Sequence, residues 1–413
     1  MEAPRPARRP LSRDVVILGW VSFFNDVSSE MIYPLLPLFM VAVLGASATT
    51  LGWVEGIATA AVAILTAWAG WRSDRFRRRV PYVQLGYGLP VLGKGILVAA
   101  VAWPMVLVGR TVDRIGKGIR SSPRDALIAD TTTAEDRGRA FGLHRAMDSA
   151  GAVVGVLLSA VLLWWLSGSP LKGGTVAQNE HTAAAFRTIF AIAAVLGLAA
   201  VGFTFLLREP PHEPSPTKPT TSITGLGGLS RGYWKVMALL LVFSLANSSD
   251  TFLLLRAGQV GLAPWEVVLV YALFSLVYTL VSYPAGVLSD RFGRWRVIAV
   301  GWFVYAAVYL GLTQAGATAV WPLLAVYGVY IALTDGVGKA LLADHVPRER
   351  RGFAIGLFYM ATGATTLVSS VIAGLLWDRV GPASPFWFGG IAAVAALVLL
   401  VTMRPWRGHH ERT

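Results

Sequence analysis

Six charged side chains recur along one short stretch: Arg110, Asp113, Arg114, Lys117, Arg120 and Arg124. At 100° per helical residue they fall within an arc of about 120°. A stripe of this kind can bind a carboxylate or phosphate, to which arginine offers two parallel donors. A second polar face lies nearer the N-terminus, where Ser22, Asn25, Asp26, Ser29, Glu30 and Tyr33 share an arc of about 140°. Asp26 or Glu30 can bind and release a proton there, with an affinity set by burial and by Arg110 or Arg114. A third reading is structural: the charges pair among themselves and hold one bundle together. Glu55, Lys94, His144, Arg145 and Asp148 join this first set, and Asn247, Asp250, Asp335 and Lys339 form a sparser second one. Arg120, Arg124, His144 and Arg145 fit the structural reading best, the two arginines because they approach a boundary and can snorkel.

The elements carrying these groups are apolar. The chain is 55% hydrophobic and 14% charged, against roughly 25% charged in soluble proteins. Runs of about 20 apolar residues, the length that crosses a bilayer, fall near 15–44, 50–71, 81–103, 105–128, 139–166, 184–207, 234–256, 264–288, 296–314, 320–343, 353–377 and 385–403. Backbone groups in hydrocarbon must satisfy one another, so these runs are expected to be helices. Their continuous apolarity argues against a barrel. The fold class is therefore an all-α polytopic membrane protein with twelve spanning helices. Counted along them, Asp26 lies roughly 18 Å from one face and Arg114 about 15 Å from the other, so the two can share a depth.

A net charge of +13 does not indicate nucleic acid, because the basic residues gather in alternate loops. Such asymmetry sets membrane orientation, with the basic side cytoplasmic. Both termini are expected in the cytoplasm, the protein in the cell (plasma or inner) membrane, and the basic N-terminus retained as part of the first span. With no cysteine, disulfides and thiolate metal sites are excluded. No nucleotide loop, zinc motif or nucleophile motif occurs, so neither an enzyme, a metal nor a cofactor is expected. Tryptophans cluster near helix ends, where interfaces anchor them. Pro34, Pro37, Pro90 and Pro284 can bend their spans.

A Pro-, Thr- and Gly-rich stretch over 208–232 divides the spans six and six. The expected organisation is a basic tail (1–14), a first bundle (15–207), this linker, a second bundle (233–403) and a second tail (404–413). The halves share sequence. Gly70, Ser73, Asp74, Arg75 and Phe76 recur as Gly286, Ser289, Asp290, Arg291 and Phe292, placed in the loops after helices 2 and 8. Ala-Leu-Ile-Ala-Asp ending at Asp130 recurs as Ala-Leu-Leu-Ala-Asp ending at Asp344, and Arg137-Gly138 recurs as Arg351-Gly352. Duplication of a six-helix unit explains these ordered matches.

These residues resemble the major facilitator superfamily of secondary transporters, whose signature between helices 2 and 3 is Gly-x-x-x-Asp-Arg-x-Gly-Arg-Arg. Gly70, Asp74, Arg75, Arg78 and Arg79 match it, with Arg77 in place of the second glycine; Gly286, Asp290, Arg291, Gly293 and Arg294 form the second copy. Arg110 resembles the family's helix 4 arginine. Gly151 and Gly155 match part of its helix 5 antiporter signature, with Val156 where proline is expected. The resemblance implies a central cavity lined by helices 1, 4, 7 and 10. It also implies latches that hold the halves together in the outward-facing state, Arg75 pairing with Asp130 and Arg291 with Asp344. The expected activity is alternating-access carriage of a small organic solute, anionic or zwitterionic by the excess of basic charge on helix 4, coupled to H+. A proton-driven efflux antiporter for amphipathic compounds is the alternative, and a receptor or scaffold the remote one. A monomer, with the lipid bilayer and the solute as partners, is the family-like expectation.

Overall fold

The computed structural model describes residues 11–76, 78–133, 136–166, 180–209, 229–346 and 351–403, without the side chains of 67, 74, 180, 181, 343 and 351–353. Most of the linker (210–228) and the tails at 1–10 and 404–413 lie outside these residues, as do Arg77, Arg348 and Arg350. All regular structure among the described residues is helical. The first span, α1, covers Arg13–Val43. It is α-helical to Glu30, then tightens at Tyr33–Leu35 and loosens into a π turn at Phe39–Val43. Pro34 and Pro37, which cannot donate to the helical ladder, fall in this irregular stretch.

The remaining helices are α2 (Ala48–Phe76), α3 (Val80–Val98), α4 (Trp103–Asp130), α5 (Arg137–Leu166), α6 (Glu180–Thr204), α7 (Arg231–Ala246 and Thr251–Gln259), α8 (Pro264–Phe292), α9 (Arg294–Leu312), α10 (Ala317–Asp344), α11 (Arg351–Arg379) and α12 (Ser384–Met403). Ten of the twelve are long and apolar enough to cross a membrane by length and composition; α3 and α4 fall short. These two least apolar helices lie backbone to backbone. A Cβ at Gly93 would fall 2.5 Å from the Gly109 oxygen, and Gly116 lies as tightly against Pro90. This close approach of backbones keeps the pair inside the bundle.

Packing repeats with a period of six helices. α1 packs on α5 and α6, α3 on α4 and α6, α2 on α4; likewise α7 packs on α11 and α12, α9 on α10 and α12, α8 on α10. The halves meet through α2 against α11 and α5 against α8, two contacts that the same pseudo-symmetry exchanges. Gly151 and Gly155 press α5 against the α1 backbone at Phe23 and Val27; in this fold those glycines serve close helix approach.

Two expectations about local structure need correction. The repeated Gly-x-x-x-Asp-Arg motifs are not loops: Gly70–Arg75 and Gly286–Arg291 form the last turns of α2 and α8, which run on as helix to Phe76 and Phe292. Gly293, at φ 91°, stops α8. Second, the span expected to run unbroken over 234–256 is interrupted at Asn247–Asp250. Asn, Ser and Asp side chains compete with helical hydrogen bonding, and four stand in a row here. The freed backbone groups find partners: Tyr305 donates to the Ala246 oxygen (2.8 Å), Ser369 to the Asn247 oxygen (2.9 Å), and the Ser249 N–H to Ser370 (3.1 Å).

Candidate functional site

The deepest ion pair joins α2 to α4. Arg110 donates through Nε and Nη2 to both oxygens of Glu55, at 2.9 and 3.2 Å, with both side chains almost fully buried. The fork geometry fits one guanidinium to one carboxylate. Arg110 also lies 3.7 Å from Asp113 and 5.2 Å from the centre of the Tyr33 ring. Glu55 was legible as an acid inside an apolar span, but nothing in its spacing named Arg110 as its partner. The expectation that Arg110 tunes Asp26 is therefore corrected, because Arg110 is held by Glu55.

Nor does Arg114 pair with Asp26. Arg114 reaches only Asp113, at 3.9 Å, and is half-buried. Asp26 instead accepts from Asn25 (2.8 Å) and stands close to the carboxyl of Asp148 on α5. Ser22 donates to the same Asp148 (2.6 Å), and the exposed Arg145 stands 3.5 Å from it. Lys94 on α3 crosses to α1, donating to Ser28 (2.5 Å) and Ser29 (3.2 Å).

Toward the basic end of α4 the stripe divides. Lys117 is exposed and forms no ion pair with a described residue. Arg120 does not snorkel as expected. It is buried, donating to the Gly86 oxygen (3.1 Å) and lying 4.5 Å over Tyr87. Arg124 pairs with its neighbour Asp125 at 2.8 Å. His144 is buried with its Nε2 unpartnered.

In the second half, Asp250 ends the break in α7 and accepts from Tyr327 (2.6 Å), while Asn247 donates to the Tyr330 hydroxyl (3.1 Å). Tyr305, Tyr309, Tyr327 and Tyr330 stack or meet edge-on with centroids 4.0–6.3 Å apart. Asp335 and Lys339, one turn apart on α10, pair at 2.9 Å with substantial exposure.

The halves touch through named hydrogen bonds at the end opposite the basic loops. Asp378 at the end of α11 accepts from the Ala48 N–H (3.0 Å), the Thr49 N–H (2.8 Å) and the Thr49 hydroxyl (2.6 Å), capping α2 from the other half. Deeper, Tyr271 on α8 donates to Glu30 (2.6 Å) and lies 5.4 Å from Tyr33. Toward the basic face, Lys117, Asp335 and Tyr359 are exposed.

The expected latch pairings are displaced. Arg79 reaches Asp130 (3.4 Å) and Arg294 reaches Asp344 (2.7 Å). Arg75 instead lies over Trp71 and Arg291 over Phe292. The last turn of the helix carries Arg75 and Arg291 away, whereas Arg79 and Arg294 sit where the chain turns back. The Asp74 side chain lies outside the described residues, and Asp290 is 3.8 Å from Arg294.

Twelve helices in two pseudo-symmetric bundles, with ionisable groups at their junction, define a multi-pass membrane transporter of the secondary-carrier type. The Major Facilitator Superfamily profile matches residues 18–334 and 251–412. An uncharacterized MFS-type transporter of Methanocaldococcus jannaschii is 34% identical over 400 residues, covering 95% of each chain. The quinolone resistance protein NorA of Staphylococcus aureus is 20% identical over 409 residues, covering 95% of this chain and 97% of its own. Among solved structures, the nucleoside transporter NupG superposes with a TM-score of 0.77 at 14% identity, over 95% of this chain and all of that one. The chain belongs to the major facilitator superfamily, a family of transporters and not of enzymes.

Proposed function

We propose that this carrier moves a small anionic or zwitterionic organic solute by alternating access, coupled to protons. The observation that carries the solute class is the contrast within α4. Arg110 is bound by Glu55, whereas Arg114 has only a distant, shared carboxylate and Lys117 has no described ion partner. Those two cations remain available to a carboxylate or phosphate. Excess positive charge alone no longer supports this choice, since Asp26, Glu30, Glu55, Asp113 and Asp148 surround the stripe. Proton coupling is supported by Asp26 and Asp148, two carboxyls brought close together in a half-buried place, where a proton on one relieves the repulsion between them.

With the basic loops in the cytoplasm, the conformation reads as inward-facing: Asp378 and Tyr271 close the outer end, and Lys117 on α4 and Asp335 on α10 are exposed toward the inner one.

The test uses purified protein in detergent and three probes sharing one ring: 3-phenylpropionate, phenylalanine and phenethylamine. Binding to the native state raises its melting temperature. 3-Phenylpropionate should stabilise the wild type and lose that effect in Arg114→Gln. A stabilisation unchanged in Arg114→Gln and in Lys117→Gln contradicts the assignment of these two cations.

A further inference from the structure

Asp250 is an acid without a base. No described lysine, arginine or histidine lies within 4.0 Å of it, and its one hydrogen bond is the 2.6 Å contact from Tyr327. The formal charge that lies within electrostatic range of it is Glu55, of the same sign. Six tyrosines, Tyr33, Tyr271, Tyr305, Tyr309, Tyr327 and Tyr330, lie within electrostatic range of its carboxylate. Asp250 is only half-buried, and Glu55 and Tyr33 of the first half lie within electrostatic range of it, which puts it on the side of its own half turned toward the other. A second acceptor stands beside it. The Oδ1 of Asn247, in the same helix break, is buried with no hydrogen-bond partner. Nearby, the buried Tyr309 hydroxyl lies close to those of Tyr305, Tyr327 and Ser248 without a well-formed bond to any.

These groups have one chemistry in common. A carboxylate, an amide oxygen and phenol oxygens accept hydrogen bonds, and the tyrosine faces present negative quadrupoles to a cation. Buried polar atoms are normally satisfied, and exceptions call for a missing partner. The complement is a compact, positively charged donor.

We propose that the break in α7 is an ammonium subsite, in which Asp250 binds the amine of the transported solute, Asn247 accepts one of its N–H bonds and the Tyr327–Tyr330 rings flank it. This deepens the solute class proposed above and rests on it: Arg114 and Lys117 take the anionic end, and the solute is a zwitterion bridging the two halves. Tyr33 sits between the ends, within electrostatic range of Asp250 and of Arg114. A metal ion and a bare proton are the rival occupants.

The same three ring probes separate these ideas, with NaCl titrated alone as a fourth arm. Phenylalanine should raise the melting temperature most, and phenethylamine should also raise it. Asp250→Asn should weaken both amine responses by about tenfold or more in apparent affinity while leaving the 3-phenylpropionate response intact. Should Asp250→Asn fold poorly, Tyr327→Phe, which keeps the ring, should weaken the amines alone by a smaller factor, and Asp250→Glu should retain them. Stabilisation by 3-phenylpropionate alone overturns the ammonium subsite while sparing the anion reading. Amine responses that persist in Asp250→Asn, stabilisation by sodium alone, or no response to either amine also overturn it.

Discussion

The two halves share a packing plan and differ in chemistry. Around α1, α2 and α4 the interior is ionic: Glu55–Arg110, Asp113–Arg114, Asp26–Asp148 and Lys94 on two serines. Around α7, α9 and α10 it is phenolic, with one unpaired carboxylate among stacked tyrosines. Duplication supplies two equal scaffolds, and the same pairs of helices touch in each. The difference shows that the scaffold does not need the charges. The second half packs its corresponding helices mainly with aromatic contacts and hydroxyl-to-carbonyl bonds, and its buried Arg256 donates to the Leu312 and Thr313 backbone oxygens instead of meeting an acid. The first half's cost is rigidity of another kind, because each buried ion depends on a particular partner.

That contrast can be broken most severely at Glu55. Removing one member of a buried pair leaves an uncompensated charge, at a cost of about 3–5 kcal/mol. Glu55→Gln should sharply lower the melting temperature, and Glu55→Gln with Arg110→Gln should recover much of it. Equal loss in the single and double variants would mean that the pair does not act as a unit. In the phenolic half the largest comparable change is gentler. Tyr327→Phe removes one hydrogen bond to a carboxylate and should cost about 1.5–3 kcal/mol. A loss as large as that of Glu55→Gln would erase the distinction between the halves.

Asp378→Ala addresses the seam between them. It removes the cap that α11 places on α2, worth about 0.5–2 kcal/mol, and only in the state that is closed at that end. Since 1.4 kcal/mol is tenfold in population, the outward-open state should rise measurably. The chain has no cysteine, so spin labels on an introduced cysteine pair across the α2–α11 outer ends report this without background. An unchanged distance distribution would remove Asp378 from gating. The smallest effect belongs to Lys339→Ala, whose partly exposed i,i+4 partner Asp335 leaves a change of about 0.5 kcal/mol or less.

How much of this was legible in the sequence follows from range. Apolar runs and their turns are local, so the sequence places the twelve helices within a few residues; the exception is α7, where Asn247 and Asp250 stand out as candidate site residues but not as ends of a helix break. Charged stripes are also local, so α4 and α1 were recognised as polar faces. Partner choice is not local. Whether Arg110 meets Glu55 or Asp26 depends on how α2 and α5 lie against α1 and α4, and Gly151 and Gly155 fix that through backbone contacts that no charge pattern reveals. The gathering of tyrosines around Asp250 is likewise not local: Tyr33, Tyr271 and Tyr327 stand out singly in polar or cavity-facing positions, but with Tyr305, Tyr309 and Tyr330 they come from α1, α8, α9 and α10 and share no common periodicity.

The account depends most on the claim that the ionic half handles the proton. Wild type and Asp26→Asn, reconstituted into vesicles enclosing a pH-sensitive dye, can be given whichever ring probe stabilises the protein. The account predicts probe-driven proton movement in the wild type and its loss in Asp26→Asn, with probe binding retained. Proton movement of wild-type size in Asp26→Asn would contradict it.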